Sequence, residues 1–186
     1  MDKINLIIFA RRPEISIGKT RLKNKVGKIL GANFYYNNLS QTIRRLSSDR
    51  RISLTICVTP DSATKNWPKY IFPNIPRISQ GSGNIGIKMW RILADNSSRK
   101  IIIGSDIPNI SSKIIRTAWK KLCYSQIIFG PAKDGGFWLI GLSKNHKIKN
   151  LFHNINWKEK NTLKQVKNNI SSNTKVNYVD TLEDID

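Results

Sequence analysis

The sequence predicts a single α/β domain built around a mostly parallel sheet. Short apolar runs alternate with helical patterns along the chain, which is the element order of parallel α/β sheets. A length of 186 residues suits one domain, residues 1–186, with a core of its own. The sequence contains neither an internal repeat nor a low-complexity linker that would indicate a second domain. In such sheets, ligands bind beyond the carboxyl ends of the strands.

The first half of the chain supplies strands of the sheet and its longest helical pattern. The run NLIIFA is short and continuously apolar, as expected of a strand buried on both faces. Apolar residues recur at helical spacing at Phe34, Leu39, Ile43 and Leu46. The elements predicted here are a strand at Asn5–Ala10, helices at Arg21–Leu30 and Phe34–Ser47, a strand at Ile52–Val58, and a short strand or strand pair within the proline-rich patch Trp67–Pro76.

The second half continues the alternation. Ser111 is predicted to cap a helix, because a serine hydroxyl accepts a hydrogen bond from an N–H group of the first turn. The predicted elements are a helix at Asn84–Leu93, a strand at Lys100–Gly104, a helix from Ser111 to Leu122, strands at Gln126–Phe129 and Phe137–Leu142, a helix at Glu159–Ile170, and a strand at Lys175–Val179.

The charge is strongly positive, with a formal net charge of +20 and a pI near 10.3. Such a charge is typical of nucleic-acid-binding proteins. The basic residues are spread along the whole chain, however, and no basic-aromatic recognition motif is present. We therefore expect no nucleic-acid partner, and we expect the positive surface to attract an anionic small molecule.

The sequence also bears on the cellular compartment. The apolar runs are too short to span a membrane, and the amino terminus does not resemble a signal peptide. Cys57 and Cys123 lack metal-binding spacing, so we expect two buried thiols in a reducing, cytoplasmic environment, with a disulfide between them as the alternative. His146 and His153 are expected at the surface.

The first loop of chemical interest is RRPEISIGKTRL, residues 11–22. It ends in Gly-Lys-Thr like a triphosphate-binding loop, but Pro13 stands where that motif requires its first glycine. Proline lacks an N–H donor and has a fixed φ, so only half of the motif is present. Four cations remain beside the end of the first strand, where side chains could hold a diphosphate: Arg11, Arg12, Lys19 and Arg21. The alternative is a solvated basic loop without a ligand.

The second loop, GSGNIG at residues 81–86, matches the dinucleotide-binding pattern letter by letter. That pattern requires a central strand leading directly into the turn, whereas the preceding IPRISQ is short and contains Pro76. We therefore do not expect a nicotinamide cofactor. A glycine-rich helix start that touches another nucleotide remains one interpretation, and a flexible loop capped by Asn84 is the other.

The third feature is a pair of carboxylates that follow or precede buried strands. Asp106 comes after KIIIGS, and Asp134 precedes the strand FWLIGL. A carboxylate beside a bound diphosphate suits Mg²⁺ or Mn²⁺, since such ions take one or two carboxylates together with phosphate oxygens and waters. Gly135 and Gly136 would let the backbone approach a ligand closely. Alternatively, Asp106 caps the next helix and Asp134 only forms a turn.

Taken together, these segments resemble a known family. The order FARRPEISIGKTRL, VTPD, QGSGNIGIKM, GSDIP, FGPAKDGGFWLIGL, LFHNINW and DTLEDID resembles a bacterial family of uncharacterised glycosyltransferase-like proteins. Some members are assigned to arsenosugar biosynthesis. The family belongs to the nucleotide-diphospho-sugar transferases, near the molybdopterin guanylyltransferase-like proteins.

The resemblance implies a GT-A-like three-layer fold, a nucleotide site over the carboxyl ends of the first strands, and a divalent cation, Mg²⁺ or Mn²⁺. It implies phosphate or nucleotide binding by one group of residues: Arg11, Lys19, Arg21, Gln80, Gly81 and Gly86. It assigns Asp106 to the metal and Asp134 to the reacting group, and it places Gly135, Gly136 and Trp157 on the substrate side.

The chain departs from the family pattern at three places. Glu14, Ile15 and Ser16 replace the usual P-x-P-G of the first loop. Asn84 and Lys133 stand where relatives commonly have acids. Fewer carboxylates should leave more of the metal coordination to substrate phosphates.

Three functions follow as hypotheses. The first is a glycosyltransferase-like enzyme that takes a nucleotide-activated sugar, with metal-assisted departure of a nucleoside diphosphate and an unknown small-molecule acceptor. The second is a nucleotidyltransferase that moves a nucleoside monophosphate from a triphosphate to a phosphorylated acceptor and releases pyrophosphate. The third is a non-catalytic nucleotide or nucleic-acid binder.

Overall fold

The apolar run near the amino terminus forms a strand, and strands and helices alternate from there on. The structure, a computed structural model, describes residues 3–13, 27–68 and 71–183. The elements of these residues are, in chain order, β1 (Ile4–Arg11), α1 (Lys28–Ser47), β2 (Ile52–Thr59), a 3₁₀ turn (Asp61–Thr64), β3 (Arg77–Ser79), α2 (Ile85–Leu93), β4 (Lys100–Gly104), α3 (Ser112–Lys121), β5 (Ile127–Pro131), β6 (Phe137–Leu142), α4 (Thr162–Asn168) and β7 (Val176–Tyr178).

The strands of the described residues form one mixed sheet in the order β3-β2-β1-β4-β6-β5-β7. β1 lies between β2 and β4 and is parallel to both, with Ile4 opposite Ile52 and Leu6 opposite Ile101. β6 is antiparallel to its neighbours β4 and β5. The carboxyl ends of β1 to β5 and the start of β6 therefore meet at one edge of the sheet.

Apolar side chains on the two faces of the sheet form two cores, because successive residues of a strand point to opposite faces. On one face, Leu6 and Ile8 pack with residues of α1 and α3. On the other, Ile7 and Phe9 pack with residues of α2 and α4. The result is the three-layer α/β arrangement expected of a GT-A-like domain.

Two predicted elements differ from the structure. The two helices expected at residues 21–47 appear, in the described part, as one helix that continues through Gly31, whose N–H donates to the Gly27 carbonyl. Gly31 is buried, so tertiary packing overrides the weak helix propensity of glycine here. Residues 21–26 lie outside the described ranges.

The third strand was expected within the proline-rich patch, and it lies just after it, at β3. Prolines lack the N–H group that a sheet requires. Around Pro68 the chain turns instead: the Ile71 N–H donates to the Pro68 carbonyl, and the Trp67 indole donates to the Ile71 carbonyl at 3.0 Å. The patch thus forms turns that carry Trp67 and Ile71 into the core.

Two expectations about exposure were wrong. Cys57 is buried as predicted, but Cys123 is exposed because it follows the end of α3. His146 is buried, and its Nε2 lies 3.1 Å from the Leu93 carbonyl at the end of α2, so it ties the loop after β6 to that helix. His153 is exposed, as predicted. Within the described ranges, every helix is too short or too polar to cross a bilayer.

Candidate functional site

The residues of the candidate site lie at the carboxyl edge of the parallel strands. Arg11 ends β1, Gln80 and Gly81 follow β3, and Asp106 comes two residues after β4. Asp134 lies in the turn that joins β5 to β6. The sheet topology therefore collects at one edge residues that are far apart in sequence.

A buried tyrosine connects the ends of β1 and β4. The Tyr35 hydroxyl of α1 accepts a hydrogen bond from the Arg11 N–H and donates to the Arg11 carbonyl, both at 2.9 Å. The same hydroxyl lies 3.4 Å from Ser105 Oγ. Burial, together with the negative charge of Asp106, raises the pKa of Tyr35 well above its usual range. The hydroxyl is therefore a neutral bridge between the two strand ends.

A second residue of α1 fixes the loop that carries Asp106. The buried Asn38 Nδ2 donates to the Ser105 carbonyl at 2.8 Å. Asp106 itself is half-buried, whereas Arg11 is exposed. Two side chains of α1 thus fix the backbone at the ends of the adjacent strands β1 and β4. Arg11 and Asp106 lie at these two strand ends.

A cleft of about 280 Å³ opens beside Asp106. Gly104 and Ile107, on either side of Asp106, contribute to its wall. Most of the lining is apolar, and Asp134 is its acidic residue. Gly136 and Trp157 also line it, so two of the three residues predicted for the substrate side face this cleft, together with Asp134.

Asp134 shapes the turn at the mouth of this cleft. Its Oδ1 atom accepts a hydrogen bond from the Gly136 N–H at 2.8 Å, while the side chain is exposed. Gly135 has φ +90, and a Cβ atom there would lie 1.7 Å from the Lys160 carbonyl oxygen. The turn therefore requires glycine because it packs directly against the backbone of residues 160–161.

Gln80 and Gly81 serve the scaffold in ways that the sequence did not indicate. Gln80 is buried, and its Nε2 donates to the carbonyls of Ala10 (3.3 Å) and Cys57 (2.9 Å), which joins β1 to β2. The Gly81 N–H donates to Asp61 Oδ1 at 3.0 Å. The hydrogen bond with Ser79, and after it the one from the Gly81 N–H, lower the pKa of Asp61. The Asp61 carboxylate is therefore ionised at neutral pH.

Gly86 makes a close helix contact. A Cβ atom at Gly86 would lie 2.6 Å from Trp157 Cζ2 and 2.7 Å from Phe152 Cβ. The rings of Phe152 and Trp157 pack together with centroids 5.8 Å apart. Gly86 is therefore in contact with Trp157, and the absence of a side chain lets the first turn of α2 support the wall of the cleft.

Other predicted positions have simple local roles. Asn84 is the N-cap of α2, and its side chain accepts a hydrogen bond from the Ile87 N–H at 3.0 Å. Ser111 caps α3 as predicted. The Lys133 ammonium pairs with Glu183 at 2.8 Å. The predicted phosphate-binding residues Lys19 and Arg21 lie outside the described residues.

The side chains that could coordinate a metal show whether a divalent cation fits this site. In the ranges that the structure describes, no group of three or more His, Cys, Asp or Glu side chains could hold a metal ion. Asp106 is a half-buried carboxylate at a strand end, without such a group around it. One carboxylate at a strand end matches the one or two that Mg²⁺ takes together with phosphate oxygens and waters.

Tyr35, Asn38 and Asp61 are the site residues that sequence reasoning missed. Asp61 had a recognisable signal, since this acid comes two residues after β2, at the edge where ligands bind. Tyr35 and Asn38 had none, because they look like part of an ordinary amphipathic helix.

The mixed sheet with helices on both faces and a cleft at its carboxyl edge is a GT-A-like fold. The chain belongs to the bacterial family described as uncharacterized protein conserved in bacteria (DUF2064), whose profile matches residues 42–159. No curated protein matches the sequence at a significant level.

Solved structures with the same fold act on different substrates. A protein of Desulfovibrio desulfuricans G20, provisionally designated a nucleotide-diphospho-sugar transferase, superposes with a TM-score of 0.85 at 24% identity, covering 100% of this chain and 83% of that one. The 4-diphosphocytidyl-2C-methyl-D-erythritol synthase of Anaerococcus prevotii DSM 20548 has a TM-score of 0.61 at 14% identity, covering 96% and 89%. Glucosyl-3-phosphoglycerate synthase of Mycobacterium tuberculosis, solved with Mn²⁺ and UDP, has a TM-score of 0.56 at 12% identity, covering 98% and 70%.

Proposed function

We propose that the protein is a transferase that takes a nucleotide-activated sugar and passes the sugar to a small acceptor. The observation that carries this proposal is the placement of Asp106 beside Arg11 at the end of adjacent strands. The Tyr35 hydroxyl hydrogen-bonds to the Arg11 backbone and lies beside Ser105, the residue before Asp106, and the cleft next to this loop contains Asp134. A carboxylate for a cation, a guanidinium for phosphates and a separate cleft are the parts that such a transfer requires.

Charge neutralisation is the main catalytic contribution that this arrangement offers. The departing nucleoside diphosphate gains negative charge, and preorganised positive groups at that position lower the barrier. Arg11 is proposed for this role, with Lys19 and Arg21 sharing it. Asp106 would hold a divalent cation delivered with the diphosphate, and the cation supplies further neutralisation of the leaving group.

The cleft is proposed to bind the acceptor. Its walls are mostly apolar, with Trp157 on one side and the exposed carboxylate of Asp134 at the turn. Asp134 Oδ1 is used by the turn, which leaves Oδ2 to accept a hydrogen bond from an acceptor hydroxyl. Asp134 would thereby orient the acceptor toward the sugar.

A second candidate is a nucleotidyltransferase, and the similarity to the synthase from Anaerococcus prevotii favours it. In that case an acceptor phosphate would attack the α-phosphate of a nucleoside triphosphate. The two functions differ in the product released, which is a nucleoside diphosphate for the first and pyrophosphate for the second.

Thermal unfolding with ligands tests the proposal. The protein is heated with a panel of nucleotide-sugars, nucleoside diphosphates and triphosphates, with and without Mn²⁺. A ligand present at 100 times its Kd stabilises by about 2.7 kcal/mol, which is a measurable shift in Tm. We expect one nucleotide-sugar to raise Tm only when Mn²⁺ is present, and Mn²⁺ alone to have little effect.

Two variants sharpen this test. Asp106→Asn should lose the metal-dependent shift, whereas Asp180→Asn should keep it. Asp180 is an exposed acid after the edge strand β7, so its substitution makes the same change of charge at the same end of the sheet. An undiminished shift in Asp106→Asn would contradict the proposed role. A shift with triphosphates alone, together with pyrophosphate release, would favour the nucleotidyltransferase.

A further inference from the structure

The opposite end of the sheet carries two neighbouring cavities that the proposed function does not use. The first, of about 640 Å³, is lined by residues just before β4, β5 and β7 and just after β6, among them Arg99, Lys144 and Lys175. The second, of about 440 Å³, is lined by Lys147 and Lys149 together with polar residues before β7. Both lie at the amino ends of the parallel strands, away from Asp106.

The two cavities adjoin each other and form one groove. Gln126 lines both. Of two consecutive residues, Thr174 lines the second cavity and Lys175 the first. The Gln126 side chain accepts a hydrogen bond from the Lys175 N–H at 3.1 Å, which holds the shared wall in place. We call the combined surface the amino-edge groove.

The charged residues that line the groove, among those described, are all basic. Five cations line it: Arg99, Lys144, Lys147, Lys149 and Lys175. Among the described residues that line the two cavities there is no aspartate or glutamate. None of the ion pairs found among the described residues includes any of the five. Cations that are spread along the sequence are thus collected by the fold on one surface without internal carboxylate partners.

An exposed aromatic ring and an anchored guanidinium accompany these charges. The Tyr124 side chain is 75% exposed at the first cavity. The Arg99 guanidinium lies 4.6 Å from the centre of the Trp119 ring, and its Nη1 donates to Cys123 Sγ. Arg99 is therefore oriented before any ligand binds, so less rotamer freedom is lost on binding.

We propose that the amino-edge groove binds a single-stranded nucleic acid. A basic groove that follows the phosphate backbone, with an exposed aromatic ring on which a base stacks, is the combination used for such strands. Two adjoining cavities that share Gln126 and carry five cations offer room for several consecutive phosphates, which one small anion would not fill. The net charge of +20 alone does not locate such a site, because the cations become neighbours only when β4, β5, β6 and β7 align.

Fluorescence anisotropy with a labelled oligothymidylate and a labelled oligouridylate tests the proposal. Each probe is longer than the roughly 4–16 nucleotides that one OB fold covers on a single strand. Binding is titrated at several salt concentrations, since each phosphate contact on a single strand contributes about 0.7 to the slope of log affinity against log salt. The native protein should bind at low salt with a clear negative slope.

Matched variants separate the groove from the general positive charge. Lys144→Gln with Lys175→Gln should weaken binding and reduce the slope by about 1.4, because two phosphate contacts are lost. Lys65→Gln with Lys113→Gln removes the same charge from exposed sites outside the groove and should leave the slope nearly unchanged. Tyr124→Ala should weaken binding about fivefold or more through lost stacking, whereas Tyr124→Phe should retain it. Equal Tm values establish that the variants are folded.

Three results would overturn the proposal. The native protein could fail to bind either oligonucleotide at low salt. The two double variants could weaken binding equally, so that only total charge matters. Polyglutamate could displace the probe as well as an unlabelled oligonucleotide does, which would assign the groove to an acidic protein. Added nucleotide and Mn²⁺ should leave oligonucleotide binding unchanged, because that ligand is proposed to bind at the other end of the sheet.

Discussion

At the scale of single residues, Tyr35 is the group on which the candidate site depends most. Its hydroxyl makes two hydrogen bonds to the Arg11 backbone and lies beside Ser105. The hydroxyl thus makes the hydrogen bonds that these strand-end groups would otherwise make to water. Arg11 and Asp106 depend on it for their relative position, although neither side chain hydrogen-bonds to it in the contacts described.

Tyr35→Phe should destabilise the protein and impair the site. The ring remains, but the Arg11 N–H loses its partner in a partly buried position, which costs about 1–3 kcal/mol. The free energy of unfolding from urea titration measures this loss. Tyr124→Phe makes the same chemical change at an exposed ring and should cost almost nothing. Similar losses in both variants would show that the Tyr35 hydroxyl has no special role.

At the scale of elements, one carboxylate joins the turn between α1 and β2 to α3. Asp49, in the turn between α1 and β2, accepts hydrogen bonds from Arg51 at 2.8 and 2.9 Å and from Arg116 of α3 at 2.7 Å. The hydrogen bond from Arg51 is the main cause that lowers the pKa of Asp49 well below its ordinary value of 3.8, and Arg116 adds to it. This contact ties α1 to α3 on one face of the sheet.

The pH dependence of stability should reflect this contact. A carboxyl group with a lowered folded-state pKa binds fewer protons in the folded state, so stability falls as the pH falls. The contribution of Asp49 is complete above pH 3.8 and is lost as the pH drops from there through its lower folded-state pKa. Asp49→Asn should therefore be less stable than the native protein at neutral pH, and the difference should shrink in acid.

Unfolding free energies measured from pH 7 downward check this expectation. The control is Asp180→Asn, which changes an exposed acid and should follow the native curve. A constant difference between Asp49→Asn and the native protein at every pH would contradict the electrostatic explanation.

The contact between α2 and the cleft wall predicts a second effect at this scale. In Gly86→Ala the new methyl group would overlap Trp157 and Phe152. Overpacking of this kind costs about 1–3 kcal/mol. Gly104→Ala is the matched control, since nothing lies within 4 Å of a Cβ atom there. We expect a lower Tm and altered Trp fluorescence only in Gly86→Ala, and unchanged spectra in that variant would contradict the packing role.

At the scale of the whole molecule, the sequence predicts the architecture better than the site. Apolar runs such as residues 101–103 identify buried strands on their own, and strand ends identify the edge where ligands bind. The side chains that stabilise that edge come from distant parts of the sequence. Tyr35 and Gln80 reach it from other elements, and their polar atoms satisfy backbone groups that only the folded sheet brings within range. For the same reason, the amino-edge groove could not be predicted from the sequence.

The position of β1 in the sheet has a consequence for biosynthesis. Its two neighbours, β2 and β4, both come later in the chain, so the apolar strand leaves the ribosome before either hydrogen-bonding partner exists. Pairings between distant segments form slowly, and an unpaired apolar strand favours aggregation meanwhile. The nascent chain therefore has an interval, until residues 100–104 have been translated, in which this apolar strand lacks a partner. A chaperone that binds short apolar segments would recognise NLIIFA during that time.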